Sequence, residues 1–167
     1  MNCLRCLVAK SEEIDHLDRR ILNALARDGR MSVTDLSAEV GLSKTPCRLR
    51  LERLREEGYI TGFRAVFDYE KLGLDHVAFV EVSLKDTREA ALRAFNAAAQ
   101  AVPEIEECHM IAGAFDYLLK VRTTDIRAYR LVLGEVISAL PHVEHSSTHV
   151  SMEAVKSAAP ALPVGGQ

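Results

Sequence analysis

The chain has 167 residues, of which 48% are hydrophobic and 27% are charged, a composition that suits one medium or two small globular cores. No apolar stretch approaches the roughly 20 residues that cross a bilayer, and the N-terminal apolar runs are too short for a signal peptide, so we expect a cytoplasmic protein. A net charge of −3 argues against a general binder of polyanions. The charge is uneven, because residues 1–66 carry 12 Lys or Arg and 10 Asp or Glu, whereas residues 67–167 carry 9 and 14. We therefore expect the two halves to bind different partners.

Residues 1–13 are predicted to be an N-terminal extension. Within it, Cys3 and Cys6 have the spacing of half a zinc site or of a redox pair, but no second such pair and no βαβ pattern accompanies them. A metal site and a redox pair are the alternatives, and we favour a disordered extension. The two other cysteines, Cys47 and Cys108, fall at apolar positions of periodic segments and are predicted to be small core residues.

Three short helices are predicted between residues 14 and 57. The first has an acidic start and ends at Asp28-Gly29, and the second begins with a capping serine and covers Ser32–Val40. The third, Lys44–Glu57, carries apolar residues at i, i+4 and i+7, which form one stripe. Each stripe is too small to stabilise a helix alone, so we expect the three helices to pack as one unit.

A three-residue turn, Gly41-Leu42-Ser43, joins the second and third helices. The segment Ser43–Arg64 holds six basic and three acidic residues, so the third helix is basic. Two short helices joined in this way form a helix-turn-helix, which reads DNA with its second helix. Tyr59–Phe67 then forms two short extended runs around Thr61-Gly62, which predicts a β-wing and a DNA-binding domain over residues 14–67.

The second half has a different pattern. After a hinge at residues 68–76, it predicts a strand, a helix, a hairpin, a helix and a final strand. Their bounds are Val77–Leu84 (with Ala78, Val80 and Val82 on one face), Thr87–Val102, Ile105–Ala112 and Phe115–Thr123 around Gly113-Ala114, Asp125–Leu140, and a strand within Val143–Val155. The order βαββαβ folds as a ferredoxin-like α+β domain, here over residues 77–156. Residues 157–167, rich in Pro and Gly, are predicted to be a disordered tail.

Seven short motifs along the chain carry a family resemblance. They are Asp15-x-x-Asp18-x-x-Ile21-Leu22, Asp28-Gly29-Arg30, Gly41-Leu42-Ser43, Arg50-Leu51-x-x-Leu54, Gly58-Tyr59-Ile60-x-Gly62, Gly113-Ala114-Phe115-Asp116-Tyr117 and Leu140-Pro141-x-Val143. In this order and spacing, the chain resembles the leucine-responsive regulatory protein/AsnC (Lrp/AsnC, "feast/famine") regulators over about residues 14 to 156. It departs from them in the decapeptide Met1–Lys10 and in Phe115, where many members have Tyr, Asp or His.

The resemblance implies an N-terminal winged helix-turn-helix and a C-terminal regulator-of-amino-acid-metabolism (RAM) domain. It also implies dimers that assemble into tetramers or octamers, and an amino-acid effector bound between C-terminal domains. We therefore expect a sequence-specific DNA-binding regulator of amino-acid metabolism. The alternative is an architectural, nucleoid-associated protein that wraps DNA with little base readout. These two kinds of protein differ in the ratio of specific to non-specific DNA affinity rather than in fold.

The predicted DNA contacts cluster at the start of the third helix and on the wing. They are Ser43, Lys44, Thr45, Arg48, Leu49, Arg53 and Arg64. Arg48 is predicted to bind a guanine edge, Arg53 and Arg64 to bind phosphates, and Ser43 both to cap the helix and to contact a phosphate. Arg50 is expected to pair with an acidic residue of the same domain. A basic face that is only solvated is the alternative.

The predicted effector site is the turn that holds Gly113 and Asp116. Gly113 permits a close backbone approach or a positive φ, exposed N–H groups can accept a carboxylate, and Asp116 can face an ammonium group. The remaining predicted residues are Ala114, Phe115, Tyr117, Met110, Leu118 and Ser151. The stretch Leu42–Phe67 is similar to regulators of proline utilisation, which favours proline as effector, with leucine and other catabolised amino acids as alternatives.

Three histidines, His142, His145 and His149, lie close in sequence, and the last two are predicted to share a strand face. A metal site and an ordinary solvated strand are both open, and we favour the solvated strand. The chain shows no GxSxG, HExxH or phosphate-loop motif, so we expect neither an enzyme nor a protein with a cofactor.

Overall fold

A computed structural model describes residues 14–156, which fall into two compact units, one ending at Val66 and the other covering Phe67–Val155. Each unit has its own hydrophobic core. No helix in this described part is long and apolar enough to cross a membrane. The predicted extension with its two cysteines and the predicted tail lie outside the described residues.

The first unit consists of three helices, α1 (His16–Arg27), α2 (Val33–Val40) and α3 (Lys44–Glu56), which confirms the helices predicted from the sequence. Their apolar stripes meet in one core. Its buried members are Ile21, Ala24, Leu25, Leu36, Val40, Cys47 and Leu54. Full burial of a side chain the size of leucine contributes about 1.5–3 kcal/mol, so this small core holds three helices that are too short to be stable alone.

The helix ends explain why the three helices begin and end where they do. Asp15 caps α1 by accepting from the N–H groups of Leu17 and Asp18 at 2.9 Å each, and Asp18 accepts in return from the Asp15 N–H at 3.1 Å. Gly41 ends α2 with φ of 72°, a conformation that favours glycine. Ser43 occupies the capping position of α3, but its side chain makes no capping hydrogen bond, so that part of its prediction is wrong.

The predicted wing strands are not formed. The chain from residue 60 to 67 is exposed, apart from a half-buried Ile60, and irregular, because it finds no strand to pair with among the described residues. Instead, Phe63 packs against Gly29, where an added Cβ would lie only 2.9 Å from the Phe63 ring. The guanidinium of Arg55 lies 6.0 Å from the centre of the same ring. The segment therefore folds back against the end of α1.

The second unit is a four-stranded antiparallel sheet with helices. Its elements are β1 (His76–Leu84), α4 (Glu89–Gln100), β2 (Ile105–Met110), β3 (Tyr117–Thr123), α5 (Ile126–Leu131) and β4 (Val143–Val150). The strands lie in the order β2-β3-β1-β4, which confirms the predicted ferredoxin-like arrangement.

One face of this sheet forms the core. Ala78, Val80 and Val82 of β1 are fully buried, as the alternation predicted. They pack with alternate residues of β3 and with one face of the helices, including Phe95, Tyr129 and Ile137. The other face is only half-buried and carries apolar and charged residues side by side, such as Phe79 and Lys120.

Two predicted bounds differ from the structure. The predicted helix Asp125–Leu140 is broken into α5, a wide π turn over Val132–Val136 and a 3-10 turn over Ile137–Ala139. Gly134 lies within the wide turn, where its low helix propensity favours a break. The hairpin strands are shorter than predicted, so residues 111–116 form a six-residue loop instead of a two-residue turn.

Candidate DNA-binding and ligand-binding sites

The start of α3 presents an exposed polar surface beside a buried stripe. Cys47 and Leu54 are fully buried, whereas residues 43–46, 48 and 49 are exposed. The turn before α3 is held by a hydrogen bond from the Leu42 N–H to the Ser37 carbonyl at 2.9 Å. The structure thus brings five predicted DNA contacts, Ser43, Lys44, Thr45, Arg48 and Leu49, to one exposed helix start.

Two side chains of this surface are suited to base edges. Arg48 is 62% exposed and its Nε lies 3.9 Å from the Glu52 carboxylate, a weak exposed pair that a guanine edge can replace. Leu49, the next residue, is 58% exposed. An apolar side chain here can contact a thymine methyl group. Arg64, in the irregular segment after α3, is also exposed and can reach solvent-side phosphates.

A buried carboxylate fixes the inner side of α3. Asp18 is 1% exposed and accepts from Arg50 at 2.9 Å and from Arg53 at 2.5 Å. Arg50 also donates to Asp15 at 2.7 Å, which confirms the predicted pairing of Arg50 within the domain. Arg53 therefore leaves the set of candidate phosphate contacts, because its guanidinium is directed at Asp18. Sequence spacing alone did not indicate that Arg53 faces inward.

Two members of this cluster, Asp15 and Arg50, have pKa values that are shifted in favour of their charged forms. The pKa of Asp15 falls to about 2, chiefly because its carboxylate accepts from the Asp18 backbone N–H, with burial opposing and Arg50 assisting. The hydrogen bond to Asp18 raises the pKa of Arg50. The ion pairs thus tie α3 to α1 and hold the angle at which α3 meets a ligand.

The predicted effector loop, residues 111–116, is closed by the backbone. The Ile111 N–H donates to the Asp116 carbonyl at 2.8 Å, and the Asp116 N–H donates to the Val82 carbonyl at 3.0 Å. The Asp116 carboxylate accepts from the Leu84 N–H at 2.7 Å, beside a register shift in the β1–β4 ladder. One carboxylate oxygen of Asp116 therefore fixes the loop on β1, a contact that the sequence did not indicate.

Gly113 does not need a positive φ. An added Cβ at Gly113 would lie 3.5 Å from Ile111, an ordinary contact, and its φ is not in the left-handed region. Gly113 is exposed, so the other part of the prediction, a close approach of a ligand to its backbone, stays a prediction. Ala114 is also exposed and Phe115 is half-buried, so the loop presents a small backbone surface.

The fold places the other predicted effector residues in different parts of the ligand-binding unit. The Tyr117 ring is 1% exposed and lies 4.3 Å from the Phe95 ring, so it belongs to the core, and burial is the main cause that raises its pKa. Met110 is 57% exposed beside the loop, and the half-buried Leu118 lies on the opposite face of the sheet. Ser151 bonds to Val77, about 16 Å along β1 from the loop, because a strand rises about 3.3 Å per residue. Within one chain, Ser151 therefore lies far from the loop.

The histidines do not assemble a metal site within residues 14–156, where no group of three or more His, Cys, Asp or Glu side chains has suitable geometry. His145 and His149 share one face of β4, as predicted. The Nε2 atom of His149 lies 3.3 Å from the Glu81 carboxylate.

Comparison with protein families assigns a known module to each unit. Residues 14–61 match a winged helix-turn-helix DNA-binding model, and residues 77–161 match the Lrp/AsnC ligand binding domain. The chain is 65% identical to the proline dehydrogenase transcriptional activator of Rhizobium radiobacter, over 88% of this chain and 94% of the relative. It is 46% identical to the leucine-responsive regulatory protein of Salmonella typhimurium, over 87% of this chain and 88% of the relative.

Solved structures agree with this assignment. The transcriptional regulator NMB0573 of Neisseria meningitidis, solved as a complex with L-Met, superposes with a TM-score of 0.85 at 28% identity. The alignment covers 90% of this chain and 97% of that chain. The similarity therefore extends through both units.

Proposed function

The chain belongs to the Lrp/AsnC family of transcription regulators, and from this premise we propose that it regulates proline breakdown in response to proline. It is a sequence-specific DNA-binding regulator with a separate ligand-binding domain. The observation that supports the proline assignment is the 65% identity to a protein named for activating transcription of proline dehydrogenase. We take Lys44, Thr45, Arg48 and Leu49 to read bases, and Ser43 and Arg64 to hold phosphates.

The base contacts follow from the chemistry of the exposed helix start. A guanidinium can donate two parallel hydrogen bonds to the O6 and N7 atoms of guanine, which is worth about 1–3 kcal/mol against a wrong base. Arg48 can adopt this geometry, because its guanidinium is exposed and is paired only weakly with the exposed Glu52 carboxylate. The guanidinium of Arg64 is positively charged and attracts phosphates without reading sequence.

The effector is proposed to bind at residues 111–116, between the ligand-binding domains of two protomers. Backbone N–H groups of the exposed Gly113-Ala114 turn can hold the effector carboxylate. Asp116 uses Oδ2 to hold Leu84, and Oδ1 is proposed to accept from the ammonium group of proline. The structure of the Neisseria relative with L-Met supports an amino acid as the ligand class.

Three further properties belong to the same proposal. The half-buried sheet face around Phe79 and Leu118 is suited to a second copy of the chain, so we propose a homo-oligomer. The relatives are named as regulators, which supports a protein without catalysis or cofactor. Cytoplasmic residence follows from the need to reach DNA.

The test is operator binding by the purified chain with and without amino acids. Proline should change the affinity for the promoter of the proline dehydrogenase gene at least fivefold, and should change the assembly seen by size exclusion. Arg48→Ala should abolish the specific shift but leave the oligomer intact. Equal responses to all twenty amino acids, or to none, would contradict the effector assignment, and unchanged Arg48→Ala affinity would contradict the base contact.

A further inference from the structure

The segment that follows the DNA-binding unit is folded against the ligand-binding unit, to which it belongs. Residues 68–74 form turns, in which the Leu72 N–H donates to the Asp68 carbonyl at 3.3 Å and the Leu74 N–H donates to the Tyr69 carbonyl at 2.8 Å. Gly73 has a φ of 67°, which suits glycine and allows the chain to turn into β1. We call residues 67–74 the connecting segment.

A single arginine of β3 holds the connecting segment. The Nη1 atom of Arg122 donates to the Leu74 carbonyl at 2.7 Å, and the guanidinium carbon lies 3.9 Å from the centre of the Tyr69 ring. The Nε and Nη2 atoms donate to the two carboxylate oxygens of Glu106, the latter at 3.3 Å. The side chain of Arg122 is only 15% exposed. Its edge and its face are therefore both engaged.

These contacts need a guanidinium rather than a simple positive charge. Lysine would keep an ion pair with Glu106, but it cannot stack on Tyr69 and donate to Leu74 at the same time. The attraction between a planar cation and an aromatic face is stronger when the pair is partly desolvated, as Arg122 and Tyr69 are here. Burial raises the pKa of Glu106, but hydrogen bonds from Arg122 and Lys120 lower it below the usual range, so the partner is charged.

The same strand begins at the proposed effector loop. Asp116 directly precedes β3, and Arg122 lies six residues later, about 20 Å away along a strand. Because β3 is paired with β1 on one side and β2 on the other, it is a stiff element. A displacement of β3 at the loop would therefore also move Arg122, and the connecting segment that Arg122 contacts continues along the chain into the DNA-binding unit.

We propose that Arg122 is a positioning residue that couples effector binding to DNA affinity, by fixing the connecting segment to β3. This inference rests on the proposed function, because it assumes that an amino acid bound at residues 111–116 changes DNA affinity. In this role Arg122 contacts neither DNA nor effector. It makes the path of the connecting segment depend on the position of β3.

The experiment measures operator affinity with and without proline, and proline affinity by calorimetry with and without operator DNA. The variants are Arg122→Gln, Arg122→Lys and Tyr69→Leu, and the matched controls are Tyr69→Phe, which keeps the ring face, and Arg93→Gln, which removes an exposed arginine of α4. In Arg122→Gln and Tyr69→Leu, the ratio of operator affinities with and without proline should fall to within twofold of one. Proline affinity without DNA should stay within twofold of wild type.

Thermodynamic linkage provides a second measurement, the effect of operator DNA on proline affinity, which a purely structural role of Arg122 would not change. If Arg122 carries the coupling, operator DNA should change the proline affinity of wild type but not of Arg122→Gln, since coupling is reciprocal. Arg122→Lys should retain an intermediate ratio, and both controls the full ratio. Hydrogen exchange of residues 67–74 should quicken in Arg122→Gln and Tyr69→Leu only.

The outcomes separate the two proposals. If wild type shows no response to any amino acid, the proposed function is overturned and the coupling role with it. If wild type responds and Tyr69→Leu and Arg122→Gln respond equally well, only the role of Arg122 is overturned. If Arg122→Gln does not fold, Tyr69→Leu decides, because it removes the stacking contact without changing β3.

Discussion

The two units of this chain are stabilised in different ways. In the three-helix unit, the fully buried Asp18 joins two arginines of α3 at the edge of a small apolar core. In the sheet unit, the buried core is almost wholly apolar, and ion pairs such as those of Glu106 with Lys120 and Arg122 lie outside it. Backbone ladders hold strands together, but helices have no such link. In the small helical unit a polar cluster thus fixes how the helices are oriented, whereas in the sheet unit the register of strand pairing does so.

The largest expected effect on stability tests whether the two hydrophobic cores are independent. Phe95→Ala should destabilise the sheet unit by about 3–5 kcal/mol, because the ring is fully buried and stacks on Tyr117. Urea unfolding followed by amide signals of each unit measures this change. Leu131→Ala, at a 54% exposed site, is the control and should change stability by less than about 0.5 kcal/mol. Equal losses in both units would contradict independent cores.

A smaller effect should appear in the helical unit alone. Asp18→Asn should cost about 2–3 kcal/mol, because Arg50 and Arg53 lose their shared anionic partner; their partial exposure keeps the loss below that of a fully buried pair. The same urea experiment measures it. Glu52→Gln, which alters an exposed carboxylate on α3, is the control. If Asp18→Asn is as stable as wild type, the cluster does not orient α3.

The smallest effect is a dependence on pH. The pKa of Asp15 is lowered from 3.8 to about 2 by the folded structure, so its carboxylate stabilises the fold above about pH 4 and loses this contribution as pH falls towards 2. Asp15→Asn, which keeps a capping oxygen without charge, should be less stable by about 0.5–1 kcal/mol at pH 6, because solvent partly screens a side chain that is 42% exposed. The difference should shrink as the pH falls from 4 through 2. A constant difference across this range would contradict the assignment.

The sequence predicted what depends on local patterns. The serine cap and the final glycine of α2 and the alternation of β1 depend on a few neighbouring residues, and the structure agrees with these predictions. The predicted strands of the wing failed because a strand needs a partner, and an isolated run of extended residues does not reveal one. The break after α5 was missed for a related reason, since helical periodicity over residues 125–140 does not show a single wide turn.

The functional residues divide along the same line. The exposed start of α3 was predictable, because a helix-turn-helix fixes which residues face outward. The inward direction of Arg53, the burial of Tyr117 and the distance of Ser151 depend on packing and register between remote segments. Arg122 was missed for the same reason. Nothing near it in sequence shows that Tyr69 and Leu74 lie beside it.

The contact between Gly29 and Phe63 has an evolutionary consequence. A side chain at position 29 would collide with the Phe63 ring, so the path of the segment that carries Arg64 is limited by a residue at the end of another helix. Positions 29 and 63 are therefore not free to vary independently. A larger residue at position 29 would require the Phe63 ring to move, and Phe63 lies directly before Arg64 in the chain.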